Sequence, residues 1–82
     1  MIIIELHTLL RKEAGVKEYQ SSAGTVKEVL EELPRRYGTG VSRHLKNCTV
    51  VVNGKNMGML KGKRTKLKDG DKVSIFPLIA GG

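Results

Sequence analysis

The sequence is poor in the residues that build enclosed chemistry. It has one cysteine, Cys48, among 82 residues. That excludes an internal disulfide and any cluster built on several thiolates. Its two histidines, His7 and His44, lie far apart with no ligand spacing around them, so no metal site is expected. There is no tryptophan, and the only aromatics are Tyr19, Tyr37 and Phe76. None of them falls in the basic stretch Lys61, Lys63, Arg64, Lys66 and Lys68. Single-stranded nucleic acid would find no stacking platform there, and nucleic-acid binding is not expected. No apolar run approaches the ~20 residues of a membrane-spanning helix. Ile2-Ile3-Ile4 runs straight into Glu5 and is too short for a signal-peptide core. A cytoplasmic protein without a membrane partner is expected. Acidic residues are few as well: 8 Asp and Glu face 15 Lys and Arg, a net charge of +7. Such a balance suits an acidic partner surface or a nucleic acid, or simply a well-solvated basic surface.

What is present reads as one small domain. Apolar residues make up 39% and charged residues 28%, ordinary for a globular chain. A chain of this length buries roughly 60–65% of its unfolded surface, which leaves no room for a large enclosed active site. Residues 2–10 begin as a strand, with Ile2, Ile4 and Leu6 on one face and Ile3, Glu5 and His7 on the other. Ala14-Gly15 breaks the run. Val16 to Gln20 alternates and is expected to pair back as a hairpin, packing Val16 or Tyr19. Thr25-Val26-Lys27-Glu28 fits a helix capping box, and Val26, Val29, Leu30 and Leu33 share one helical face. Pro34 is expected to end or kink that helix near Leu33, with Arg35-Arg36-Tyr37 in a loose last turn closed by Gly38-Thr39-Gly40. Val41 to Lys46 is left as a short helical turn. Thr49 to Val52 is a β-branched strand followed by the type I′ turn signal Asn53-Gly54, with a short return over 55–60. A further turn at Asp69-Gly70 leads to a last strand over Lys72–Phe76. It sets Val73 and Ile75 on one face and Ser74 and Phe76 on the other. The order β-β-α-β-(β)-β predicts an α+β chain of β-grasp, ubiquitin-like architecture. A mixed sheet of four to five strands would carry one main helix on one face.

The strand runs through Phe76-Pro77-Leu78-Ile79-Ala80 into Gly81-Gly82. Gly is about 7% of average composition, so such an ending arises by chance in roughly 0.5% of chains. The two glycines alone are therefore a weak signal. Physically they make a thin thread with no Cβ and an unhindered acyl carbon, able to enter another enzyme's channel. The expected division is a domain over 1–76 and a flexible diglycine tail over 77–82.

With these residues placed, the chain resembles the ubiquitin-like sulfur-carrier family. That family includes the small subunit of molybdopterin synthase and the thiamine-pathway carrier. The resemblance rests on Arg11 to Gly15, Thr25-x-x-Glu28, Val51-Val52-Asn53-Gly54 and the run Leu67-Lys68-Asp69-Gly70-Asp71-Lys72-Val73 leading to Pro77 and Gly81-Gly82. These follow one another in the family's order. Leu78 stands where the small subunit often has a second proline, and Pro34 is unusual.

The resemblance implies that the Gly82 carboxylate is adenylated by an ATP-dependent activating enzyme of ubiquitin-activating type and converted to a thiocarboxylate. That group then gives its sulfur to a cofactor precursor. The chain itself would bind no cofactor and would serve as co-substrate or subunit, with ATP used by its partner. The acceptor suggested by the Phe-Pro ending is the large subunit of molybdopterin synthase or an equivalent enzyme. Phe76, Pro77, Leu78, Ile79, Ala80 and Gly81 would dock or thread the tail. Phe76 could instead sit in a small cluster on its own sheet face, and Leu78 and Ile79 could pack on the domain. A thiamine or other carrier, a protein modifier conjugated through Gly82, and a β-grasp module binding RNA are the alternatives. Cys48 is expected as a buried or strand-edge thiol, and His7 and His44 as surface or edge residues.

Overall fold

The computed structural model describes residues 1–77. β1 covers Ile2–Leu6 and buries Ile2, Ile4 and Leu6, as its alternation requires. The strand does not continue to residue 10. The chain turns at His7 and enters helix α1, Thr8–Ala14, which the sequence reading missed. The reason lies in the spacing. Leu6, Leu10 and Ala14 recur every four residues, a helical interval, so Leu10 is buried while Leu9 stays 49% exposed. Gly15 ends α1 in the left-handed conformation, φ 79°, and its N–H bonds the Arg11 carbonyl at 3.0 Å. β2, Glu18–Ser21, pairs antiparallel with β1 as a return strand. Of the two candidates for packing, Tyr19 is buried and Val16 is exposed.

Helix α2 spans Val26–Tyr37. Thr25 caps it: its Oγ1 accepts the Glu28 N–H at 3.2 Å. The Glu28 carboxylate reaches back one residue further than the capping box predicts, accepting from the Gly24 N–H at 2.8 Å. Val26, Val29 and Leu33 face the core. Pro34 lies inside the helix rather than ending it. It removes one bond, to the Leu30 carbonyl, while the last turn is held from outside. Gly38 N–H bonds the Pro34 carbonyl at 2.9 Å. Tyr37 meets Tyr19 edge-on at 5.6 Å, and the Arg36 guanidinium sits 4.3 Å over the Tyr19 ring. A 3₁₀ turn over 39–41 leads into α3, Ser42–Leu45, so the uncertain segment is helical.

β3, Thr49–Val52, runs into a turn in which Asn53 (φ 50°) and Gly54 (φ 86°) both take positive φ, as a type I′ turn demands. The return strand β4 is only Lys55–Asn56; a 3₁₀ turn over 57–59 follows, and a second over 62–64 carries Lys63 and Arg64 of the basic stretch. β5, Lys72–Phe76, then inserts between β1 and β3, giving the order β2-β1-β5-β3-β4. It runs parallel to β1 and antiparallel to β3. This is the β-grasp architecture, with a mixed five-stranded sheet. The covering layer is broader than one helix, since Leu10 of α1 and Val41 join α2 in the core.

Candidate functional site at the root of the C-terminal segment

The C-terminal segment that the sequence singles out is rooted at the end of β5.

 Phe76 closes β5 and is paired across the sheet with Thr49, the first residue of β3. Pro77 follows and is buried. Leu78, Ile79, Ala80, Gly81 and Gly82 lie outside the described residues. The root of the segment is thus the end of the central strand, hydrogen-bonded to a neighbour on each side.

Alternation places Phe76 on the sheet face away from the core, together with Ser74, and there it meets the matching face of β1. Its ring is 37% exposed and stacks on His7, with centroids 4.2 Å apart and planes 12° from parallel. His7 is therefore half-buried and packed rather than a plain surface residue. Its Nε2 is hidden without a hydrogen-bond partner among the described residues and lies 3.7 Å from Glu5 Oε1. Glu5 Oε1 also accepts the Ser74 hydroxyl at 2.9 Å, and Glu5 Oε2 meets Lys72 Nζ at 3.1 Å. The Ser74 hydrogen bond first, and Lys72 second, hold the Glu5 carboxyl below its usual range. The strip Glu5, His7, Ser74, Phe76 was not assembled by sequence reasoning. The signal existed in the two alternations, but joining them requires the parallel pairing of β1 with β5.

The remaining candidates sit elsewhere. Cys48 is half-buried just before β3, and burial pushes its thiol up, away from the thiolate that nucleophilic chemistry needs. His44 is largely covered, with Nε2 3.6 Å from Glu13 Oε1, a carboxylate that Arg43 also bridges at 3.0 Å. It is more covered than the surface or edge residue expected. The Glu5 carboxylate is taken up by Ser74 and Lys72, and burial disfavours the Cys48 thiolate. What the arrangement offers is a firmly anchored strand end beside a mixed polar and aromatic strip, fit for presenting a segment to another protein.

The family model described as the ThiS family matches residues 4–82, which includes β5, its root and both terminal glycines. This chain belongs to the ThiS family. Among its relatives, the sulfur carrier protein CysO of Mycobacterium tuberculosis is 28% identical, over 99% of this chain and 98% of the relative. Small archaeal modifier protein 3 of Haloferax volcanii is 38% identical, over 71% of this chain and 70% of its own. The crystal structure of the Amycolatopsis orientalis BexX/CysO complex superposes with a TM-score of 0.82 at 27% identity, covering both chains completely. The ThiS-family chain is thus similar to sulfur carriers and to ubiquitin-like modifiers alike.

Proposed function

We propose that this chain is a sulfur carrier whose reactive group is the Gly82 carboxylate. A carboxylate oxygen attacks the α-phosphorus of ATP in an activating enzyme, pyrophosphate leaves, and the acyl adenylate forms. A sulfur nucleophile then displaces AMP to give the thiocarboxylate, which keeps its negative charge on sulfur. The carrier holds that sulfur at high effective concentration in an acceptor's site. The general base, metal and ATP belong to the partner, and this chain supplies the tether. The single observation that carries the reading is the continuity of the ThiS-family match from the anchored strand β5 through Pro77 to Gly81-Gly82. Phe76 and the residues after it are the segment we propose for partner contact. The 77–82 tail is the proposed working part of the molecule.

The acceptor is a finer matter. The molybdopterin-synthase reading rests on the Phe76-Pro77 ending and on chain length. The relatives described above are named as a sulfur carrier and a modifier, which supports the carrier chemistry without that particular acceptor. A second reading, conjugation through Gly82 to lysines of other proteins, is favoured by the 38% identity to an archaeal modifier. It uses the same activated terminus. Intact mass spectrometry of the protein from its native host tests the proposal. The carrier reading expects a fraction heavier by the replacement of one oxygen with sulfur, localised to Gly82. A population that is wholly unmodified, even after incubation with its activating enzyme, ATP and a sulfur donor, would refute it.

A further inference from the structure

Two features of the sequence play no part in the carrier chemistry: the basic stretch after residue 60 and the proline inside α2. The structure brings them together. α2 turns Lys27, Leu30, Glu31 and Pro34 onto one face, at helical spacing. Opposite them stand Leu45 of α3, Lys46, and Lys63 from the basic stretch. Between the two walls runs an open groove of about 430 Å³. Leu30, Pro34 and Leu45 are half-buried and form its apolar floor. Lys27, Lys46 and Lys63 are exposed on its rim, and among the described residues none of the three is in an ion pair.

We propose that this groove docks an acidic segment of the enzyme that activates Gly82, with apolar side chains on the floor and carboxylates against the three lysines. The inference rests on the carrier reading for the identity of that partner. Charge complementarity selects the segment: three unpaired lysines face one acid, Glu31, on a chain of net charge +7. Pro34 adds a second fitness. Its ring lines the groove beside Leu30 and Leu45 and widens the apolar floor available to the occupant. Position selects the partner. Lys46 lies three residues before Thr49, the cross-strand neighbour of Phe76, so only a short length of chain separates the groove from the root of the tail. A protein holding the tail reaches the groove in the same encounter, and the second contact becomes effectively intramolecular. A nucleic acid would find no aromatic ring in the groove on which to stack a base. A second copy of the chain carries the same positive charge and is repelled.

The test is ATP–pyrophosphate exchange with the full chain and its cognate activating enzyme. The double variant Lys46→Glu/Lys63→Glu is compared with Lys12→Glu/Lys55→Glu, which changes net charge equally outside the groove. The groove variant is expected to raise the KM for the carrier about 10-fold and to flatten its salt dependence, with kcat within about twofold of wild type. The control is expected to shift KM less than about threefold, through long-range steering alone. Unchanged amide spectra outside the substituted residues establish that both variants fold. Equal KM values for the two variants, with normal exchange by the wild type, overturn the groove and leave the carrier reading standing. No exchange by the wild type overturns both. Perturbation of the Leu30 and Leu45 amides by oligouridylate but not by the activating enzyme overturns the proposal in favour of nucleic acid.

Discussion

At the scale of single residues, the run Leu67-Lys68-Asp69-Gly70-Asp71 owes its form to one carboxylate. Asp71 is buried, and its Oδ2 accepts the Lys68 N–H at 2.9 Å, closing the Asp69-Gly70 turn. Its Oδ1 accepts the Asn53 side-chain amide at 2.8 Å, and Asn53 Oδ1 in turn accepts the Lys72 N–H at 2.9 Å. Two turns far apart in sequence are thereby fastened at one corner of the sheet. The Lys68 N–H, then Asn53, hold the Asp71 carboxyl below its usual range. A carboxyl depressed in the folded state contributes stability above its unfolded pKa, and that contribution is lost as pH falls through the folded value. Asp71→Asn is therefore expected to cost about 1–2 kcal/mol near neutral pH. In urea unfolding, the gap between the two proteins should narrow as pH drops below about 4. A gap that stays constant with pH would show that shape, not charge, is what the site needs. The turns themselves were legible, because Asn-Gly and Asp-Gly act locally. Their joining was not, because a hydrogen bond between distant side chains leaves no mark in either turn. The same holds for His7 under Phe76: each alternation placed its residue on the correct face, and only the pairing of β1 with β5 brought the rings together.

Among the elements, α2 shows what sequence signals decide and what they leave to packing. Its start was legible from Thr25 and Glu28, whose side chains satisfy N–H groups that the first turn leaves free. Its end was legible in part. A last turn over Arg35, Arg36 and Tyr37 closed by Gly38 is where α2 stops, but Pro34 leaves that turn joined to the helix, and the contacts of Tyr37 and Arg36 with Tyr19 hold it there. α1 was hidden for a different reason. An apolar run from Ile2 to Leu10 satisfies a strand pattern at its start and a helical one at its end, and nothing but Gly15 marks the change. The interior proline has a measurable consequence. Pro34→Ala restores a bond to the Leu30 carbonyl and a better helix former, offset in part by a freer unfolded chain. The expected net is a gain of about 1–2 kcal/mol in thermal melts. The same variant removes the proline ring from the groove floor, so the KM for adenylation should rise while stability rises. A loss of stability would instead mean that the Pro34 ring packs more strongly than the helix bond it displaces.

For the whole molecule, the topology supports the proposed role of a small domain that presents a C-terminal segment to a partner. β5 is the central strand, bonded to β1 on one side and β3 on the other, so pulling on its end is resisted by both neighbours. The β4 edge, two residues long, carries no such burden. Val73 and Ile75 fix the strand from the core side with no exposed surface, and Phe76 is braced by His7 from the other. If residues 1–76 are the scaffold and 77–82 the working tail, then changing the tail's length should leave the scaffold untouched and ruin the chemistry. Adding one alanine after Gly82 moves the carboxylate by a residue and puts a Cβ at the acyl centre. A misplacement of that order costs about 100-fold or more in rate where reacting atoms must be held in line. Adenylation of the extended chain, read by pyrophosphate exchange, should therefore fall by at least about 100-fold. The amide spectrum of residues 1–76 and the melting temperature should stay where they are. Exchange at the wild-type rate would show that the activating enzyme does not measure the end of this chain, and the tail would lose its place in the mechanism. A melting temperature that falls with the activity would show instead that the scaffold and the tail are one folding unit.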